Sequence, residues 1–206
     1  VLVCFSFAQN NDPWDTLETN DEPSIDFKDE YLVGINFGSS IPFGTNLKNS
    51  FTSGMNFKLN VKTPFGFSLA NKEFKIKGIF DLMKCAANEN VTYDDYSLTL
   101  IRADLTTNIS VLNVSVGTGL AMASGTQIYA DEDYQMTTAL ISAGIGYNLP
   151  LSNMFSEISM GNKTFDLSSL SISVFLEGVE IFGAPAESGT SDIINLGLGI
   201  SYPVLF

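Results

Sequence analysis

Apolar residues occupy every second position along much of this 206-residue sequence. The pattern is clearest from Ile194 to Phe206, where mostly small or polar residues stand between the apolar ones. Because successive side chains of a β-strand point to opposite faces, this alternation predicts strands with one apolar face and one small, polar face. The sequence contains no run of about 18 apolar residues, which a membrane-spanning helix requires. If the chain crosses a membrane, it does so with strands.

Seven further segments repeat this alternation, and with the C-terminal segment they make eight candidate strands. Most of them approach the roughly 9–11 residues that a tilted strand needs to cross a bilayer. Their apolar rows begin at Tyr31, Met55, Phe74, Tyr96, Val114, Ala139 and Leu170. The sequence therefore predicts an all-β fold, a closed antiparallel up-and-down transmembrane β-barrel of eight strands over residues 30–206.

The even number of strands predicts that the barrel begins and ends on the same, periplasmic side of the membrane. The outer loops are then predicted at residues 39–53, 84–94, 123–133 and 182–192. The periplasmic connections are predicted at residues 62–73, 103–108 and 148–167. The last of these is long for a turn, and we expect a short helix or a β-extension in it, after a strand stop at Pro150.

The small, polar face of the strands favours a barrel in lipid over a barrel in water. A soluble barrel directs its charged residues outward, and a face rich in glycine, serine and asparagine would be a poor solvent coat. Such a face suits the crowded interior of a narrow barrel. The charged fraction is 16%, against about 25% in soluble domains. Tyrosines near the ends of the apolar rows are predicted to lie at the membrane interfaces: Tyr31, Tyr96 and Tyr147.

The predicted interior face also carries charged and amide side chains. These are Asn56, Lys58, Lys75, Lys77, Asp81, Asn113 and Glu177. A buried charge is costly unless it is paired, so we predict that these residues form a salt-bridged polar network in the lumen. Side chains normally fill the interior of an eight-stranded barrel, which favours a sealed lumen. A narrow polar passage is the alternative.

The C-terminal strand ends on Phe206, with Ile200, Tyr202 and Val204 at alternate positions before it. This ending resembles the terminal strand of small bacterial outer-membrane β-barrel proteins of the OmpX, OmpA-barrel and OmpW type. The resemblance implies a location in the bacterial outer membrane, among its lipids and lipopolysaccharide. It also implies that the barrel-assembly machinery recognises these four residues as an assembly signal.

Residues 1–29 do not share the strand pattern. Residues 1–8 are apolar and resemble the remaining end of a signal peptide, with Ser6 and Ala8 as the small residues before a cleavage point. Residues 9–29 are rich in acidic and polar residues and have the period of neither a strand nor a helix. We predict that they form a flexible acidic periplasmic leader.

Charge and composition exclude several classes of function. The net charge of −13 argues against binding to nucleic acid, which requires a basic surface. The sequence contains no histidine, and this excludes Ser–His–Asp and Cys–His catalysis as well as histidine metal clusters. We expect neither enzyme activity nor a cofactor nor a metal site.

Three functions stay open from the sequence. The first is a structural or interaction role, in which a sealed outer-membrane barrel presents its loops or docks to a protein partner in a membrane complex. The second is a narrow channel or transporter for small solutes, including apolar ones. The third is a soluble secreted β-barrel that binds a lipid-like ligand, in which case the apolar rows would face inward.

Overall fold

The computed structural model describes residues 30–43, 45–89, 95–127, 132–150, 157–160, 163–166, 169–182 and 190–205. The barrel strands are β1 (Glu30–Phe43), β2 (Phe51–Leu69), β3 (Lys72–Ala87), β4 (Tyr96–Ile109), β5 (Leu112–Gln127), β6 (Glu132–Pro150), β9 (Ser171–Phe182) and β10 (Thr190–Leu205). A separate two-stranded sheet consists of β7 (Glu157–Met160) and β8 (Lys163–Asp166), and helix α1 covers Thr45–Lys48. The predicted signal-peptide remnant 1–8, the predicted leader 9–29 and Phe206 lie outside the described residues.

Eight of the described strands form a closed antiparallel ring in the order β1-β10-β9-β6-β5-β4-β3-β2. The seam that closes the ring pairs β1 with β10, from Glu30 opposite Leu205 to Phe43 opposite Asp192. Every other pairing in the ring joins barrel strands that follow each other along the chain. The predicted all-β, up-and-down barrel of eight strands is confirmed.

Within the described residues, no helix has the length and hydropathy needed to cross a membrane.

The two ends of the barrel differ. The end that we call the terminal end carries the start of β1, the end of β10 and the tight turns at residues 70–71 and 110–111. The opposite end, the loop end, carries α1. Ala70 and Asn71 have φ angles of 49° and 61°, and this left-handed pair is typical of the shortest hairpin turns. This two-residue turn therefore connects β2 directly to β3, without a longer loop.

Two predicted connections at the terminal end are wrong in extent. Only residues 70–71 of the predicted 62–73 form a turn, and β4 runs straight through the predicted connection 103–108. In β2, the register shifts between Lys62 and Gly66, and this irregularity breaks the alternation on which the prediction relied. In β4, a run of threonine and asparagine has the composition of a loop but pairs on both sides as a strand.

The connection 148–167 contains a β-extension, one of the two structures expected there. β6 ends at Pro150, as predicted, and β7 pairs with β8 as a short antiparallel hairpin. The strands also extend further toward the loop end than predicted. They continue into all four predicted outer loops, 39–53, 84–94, 123–133 and 182–192.

Seven of the eight barrel strands turn the predicted apolar rows outward. Leu198 on β10 and Val116 on β5, for example, are 59% and 54% exposed. Their neighbours along the strand on the interior side include Gly117, Gly197 and Gly199, where a side chain would collide with neighbouring atoms of the barrel. A Cβ atom added to Gly197 would lie 2.7 Å from the ring of Phe175. The interior is therefore packed to a density that only small residues on these rows permit.

The faces of β4 are the reverse of the prediction. Tyr96, Leu98 and Leu100 are buried in the barrel, whereas Ile101 is 51% exposed. Both faces of this segment carry large apolar residues, so alternation alone could not decide between them. The charge on Arg102 decides, because it must point into the lumen with its partners. The prediction that Tyr96 lies at a membrane interface is therefore wrong, since its ring stacks on that of Phe51 inside the barrel, with 4.9 Å between centroids.

We predict that shortening Leu100 destabilises the barrel more than shortening its neighbour Ile101. Leu100 is completely buried, so Leu100→Ala leaves a cavity and should lower the free energy of unfolding by about 2–5 kcal/mol. For Ile101→Ala the surrounding medium refills the space, and the loss should be less than half as large. Urea unfolding in detergent measures both, and equal losses would contradict the orientation of β4.

Candidate functional site

The centre of the lumen holds a network of five charged side chains from four strands. Lys58 on β2 donates to Glu177 on β9, and its Nζ atom lies 3.5 Å from Oδ2 of Asp81 on β3. Arg102 on β4 contacts the other carboxylate oxygen of Glu177, and its Nε atom lies 3.4 Å from Oδ1 of Asp104. All five are buried. Among these five, three carboxylates therefore surround two cations.

The barrel register explains why these residues meet. Lys58 and Asp81 are direct cross-strand partners, and Arg102 lies on the next strand around the ring. Glu177 comes from β9, which lies three strands away from both β2 and β4 around the ring. Its carboxylate therefore reaches across the lumen and joins opposite walls. Such multiple pairing offsets the cost of removing the charges from water.

A phenylalanine and two amide side chains pack next to this network. The Lys58 ammonium lies 4.5 Å from the centroid of the Phe175 ring, a favourable cation–π distance. Asn56 and Asn195 are buried nearby on the interior rows of β2 and β10, and Oδ1 of Asn195 accepts a hydrogen bond of 2.8 Å from Ser40. These groups fill the cross-section of the barrel around the charges.

The structure brings together only part of the predicted lumen network. Lys58, Asp81 and Glu177 are in it, and Asn56 is buried in the lumen as predicted. The others lie nearer the terminal end. Lys75 pairs with the partly exposed Glu73 at 3.3 Å, Asn113 hydrogen-bonds to Thr106 and Asn108, and Lys77 lines a cavity.

Arg102 and Asp104 belong to the network but were missed by the sequence prediction. Asp104 was missed because it lay inside the connection predicted at 103–108. Arg102 was missed because the prediction reversed the faces of β4 and so directed residue 102 toward lipid. A usable signal was present. Two opposite charges two positions apart, in a segment otherwise apolar, would both face lipid unless the strand turned that row inward.

Toward the loop end the lumen is apolar and closed. Leu47 on helix α1 belongs to a buried apolar cluster with Phe51, Met83 and Cys85, and further buried side chains from β4 to β10 complete this cluster. Toward the terminal end the lumen opens into a polar cavity of about 80 Å³. The cavity lies next to the charged network, since Lys58 and Glu177 contribute to its wall.

Aromatic side chains gather on the outer surface at the terminal end. Tyr31 makes an edge contact with Phe65, with 6.4 Å between ring centroids, and Phe67 stacks on Phe74 at 5.3 Å. Tyr147 lies at the same end, opposite the first residue of β5, and is exposed. Tyr31 and Tyr147 are thus placed where an interface aromatic would have to be, and that role stays a prediction.

Comparison with known proteins found similarity to solved structures alone. No protein-family model and no curated protein matches the chain. Among solved structures, the chain is similar to Ail, the attachment invasion locus protein of Yersinia pestis, with 17% identity over 86% of this chain and 99% of that one and a TM-score of 0.46. It is also similar to the N-terminal β-barrel domain of Pseudomonas aeruginosa OprF, with 18% identity over 85% of this chain and 98% of that one and a TM-score of 0.45. A third similar structure is that of the outer membrane protein AlkL, solved in lipid bilayers, with 12% identity over 92% of this chain and 97% of that one and a TM-score of 0.41.

We predict that Glu177→Gln destabilises the barrel strongly, because it removes the carboxylate that both Lys58 and Arg102 contact. Breaking a buried ion pair in this way should lower the free energy of unfolding by about 3–5 kcal/mol. The matched control is Glu73→Gln, which removes the partner of Lys75 at a partly exposed site and should cost at most about 1 kcal/mol. Urea unfolding in detergent measures both variants. Similar losses for the two would mean that the network does not hold the walls together.

Proposed function

We propose that this protein is a transmembrane β-barrel of a bacterial outer membrane, with a structural or interaction role and a sealed lumen. The observation that carries the proposal is the combination of an apolar outer belt with a buried, ion-paired centre. A protein that folds in water has the opposite arrangement. We further propose that the protein has no catalytic role and binds neither a cofactor nor a metal ion.

The outer belt supports the membrane location. Large apolar side chains are exposed on every barrel strand, from Val33 and Phe37 on β1 to Ile200 and Tyr202 on β10. Isolated apolar residues on a surface are ordinary, but a continuous belt is a site for lipid or for a partner. Because the ring is closed, its backbone polar groups are paired within the barrel, as hydrocarbon requires. A soluble secreted lipid-binding barrel would instead line its interior with these rows.

The contents of the lumen support a sealed barrel over a channel. A solute passing from end to end would have to separate Glu177 from both Lys58 and Arg102. It would then have to pass the apolar cluster beneath α1, where Leu47 and Phe51 are buried. The terminal-end cavity is the one observation that favours the alternative, a narrow channel or transporter for small solutes.

The partners in this proposal are outer-membrane lipids and lipopolysaccharide around the belt, and a protein partner in a membrane complex. The barrel-assembly machinery would recognise the end of β10. Ile200 and Tyr202 point outward there and Val204 lies on the same row, as an exposed signal requires.

We predict that Leu198→Arg destabilises the protein in lipid vesicles. Leu198 lies near the middle of β10 on the outer face, and an arginine at the bilayer midplane should cost about 2–4 kcal/mol of unfolding free energy. The control Leu198→Phe keeps an apolar side chain and should leave stability nearly unchanged. Heat-modifiable migration on gels, followed across a urea series, measures both. An arginine variant as stable as the control would favour a barrel in water.

We also predict that the purified protein is electrically silent in planar bilayers, because paired charges and apolar side chains block the lumen in series. The folded state of the same sample is checked by its heat-modifiable migration. Steady single-channel currents from folded protein would reject the sealed barrel and favour the transport alternative.

A further inference from the structure

Two lysines in the terminal-end cavity make none of the ion pairs of the charged network. Lys62 on β2 and Lys77 on β3 both line the cavity and are direct cross-strand partners. Like charges directly opposite each other on one face of a sheet repel. Across the described part of the chain, neither ammonium lies within 4.0 Å of a carboxylate oxygen.

We propose that this pair of lysines forms a binding site for a small dianionic oxyanion of the phosphate or dicarboxylate kind. An oxyanion between the two ammonium groups would turn a repulsive pair into two charge-assisted hydrogen bonds. This site is separate from the sealed centre of the barrel, and the proposal does not depend on which membrane or compartment holds the protein.

The rest of the cavity wall suits an oxyanion. Asparagine amides and serine hydroxyls surround the lysines, among them Asn36, Asn60, Asn148, Ser115 and Ser173. These groups donate hydrogen bonds to anionic oxygens without adding charge. A volume of about 80 Å³ suits a compact ion better than a lipid chain or a peptide.

The neighbouring charges leave the two lysines available. Asp104 lies opposite Lys77 on β4, but its carboxylate faces Nε of Arg102 at 3.4 Å and the hydroxyl of Ser142 at 3.4 Å. Glu177 also reaches the cavity wall, where Lys58 and Arg102 both contact it. In the lumen, the four cations Lys58, Lys62, Lys77 and Arg102 therefore face the three carboxylates of Asp81, Asp104 and Glu177. One positive charge is left over, although the whole chain is strongly acidic.

Among the described residues, the cavity wall runs from the charged network to the terminal end of the barrel, so a ligand would enter from that end. The cavity lies inside the ring of strands, so a lipid headgroup outside the wall cannot reach the lysines. The apolar cluster at the loop end blocks the opposite route. A soluble ion entering past the rim residues Lys72 and Lys75 is the ligand that this geometry accepts.

The test uses the full chain in detergent with inorganic phosphate or succinate as the probe, against a chloride background of equal ionic strength. Binding to the native state raises the unfolding temperature with ligand concentration. We expect phosphate, succinate or both to raise the unfolding temperature of the wild type. In K62Q/K77Q the affinity for that ligand should fall by at least about tenfold, as the loss of a charge-assisted hydrogen bond implies. Without ligand, the double variant should be at least as stable as the wild type, because the repulsion is gone.

The control variant is K48Q/K84Q, which removes the same total charge at the loop end. It should bind the ions with wild-type affinity. The proposal is overturned if neither ion stabilises the wild type beyond chloride, or if both double variants lose affinity equally. A heat-modifiable band in every sample shows that the barrel is folded, so failure of the site is distinguished from failure of the membrane barrel.

Discussion

The pairing of β1 with β10 is the contact on which the rest of the structure depends. It converts an open sheet, whose two edges would each carry unpaired backbone groups, into a ring with no edge. Once the backbone is satisfied internally, the outer face needs no polar atoms and can consist of exposed Val, Leu, Ile and Phe side chains. The ring also fixes the width of the interior, and this width requires glycines such as Gly197 to face Phe175.

The closed ring also encloses an interior that side chains must fill, and they fill it in two different ways. At the loop end, apolar side chains beneath α1 fill the interior in the manner of an ordinary protein core. At the centre, Lys58, Asp81, Arg102, Asp104 and Glu177 fill it with paired charges. The second solution is costly in desolvation, but Glu177 joins strands from opposite walls. An apolar residue at this position would fill the same space without making any of these directed contacts.

The period of two in the sequence was sufficient to predict the number of strands, their antiparallel order and seven of the eight outward faces. The prediction failed in β4, where the residues of the two faces do not differ in character, since Leu100 and Ile101 are both large and apolar. Their faces are set by long-range pairing with β3 and by the charge on Arg102, and neither is visible in the local pattern. Two of the five residues of the charged network were missed as a result, Arg102 because the faces of β4 were reversed and Asp104 because it lay in a predicted connection. Turns were misplaced where a register shift, as after Lys62, interrupts a continuous strand.

The seam also bears on how the chain reaches its folded state. Every other barrel pairing joins neighbours along the chain. β1 and β10 come from opposite ends of the described sequence, so their contacts have the largest sequence separation in the barrel. Loop-closure entropy opposes this pairing most, so the seam is the natural last step of assembly. Until β10 arrives, the outer edges of β1 and β9 remain open to pairing with other chains. A truncated chain lacking β10 would therefore be an aggregation hazard and not a smaller barrel.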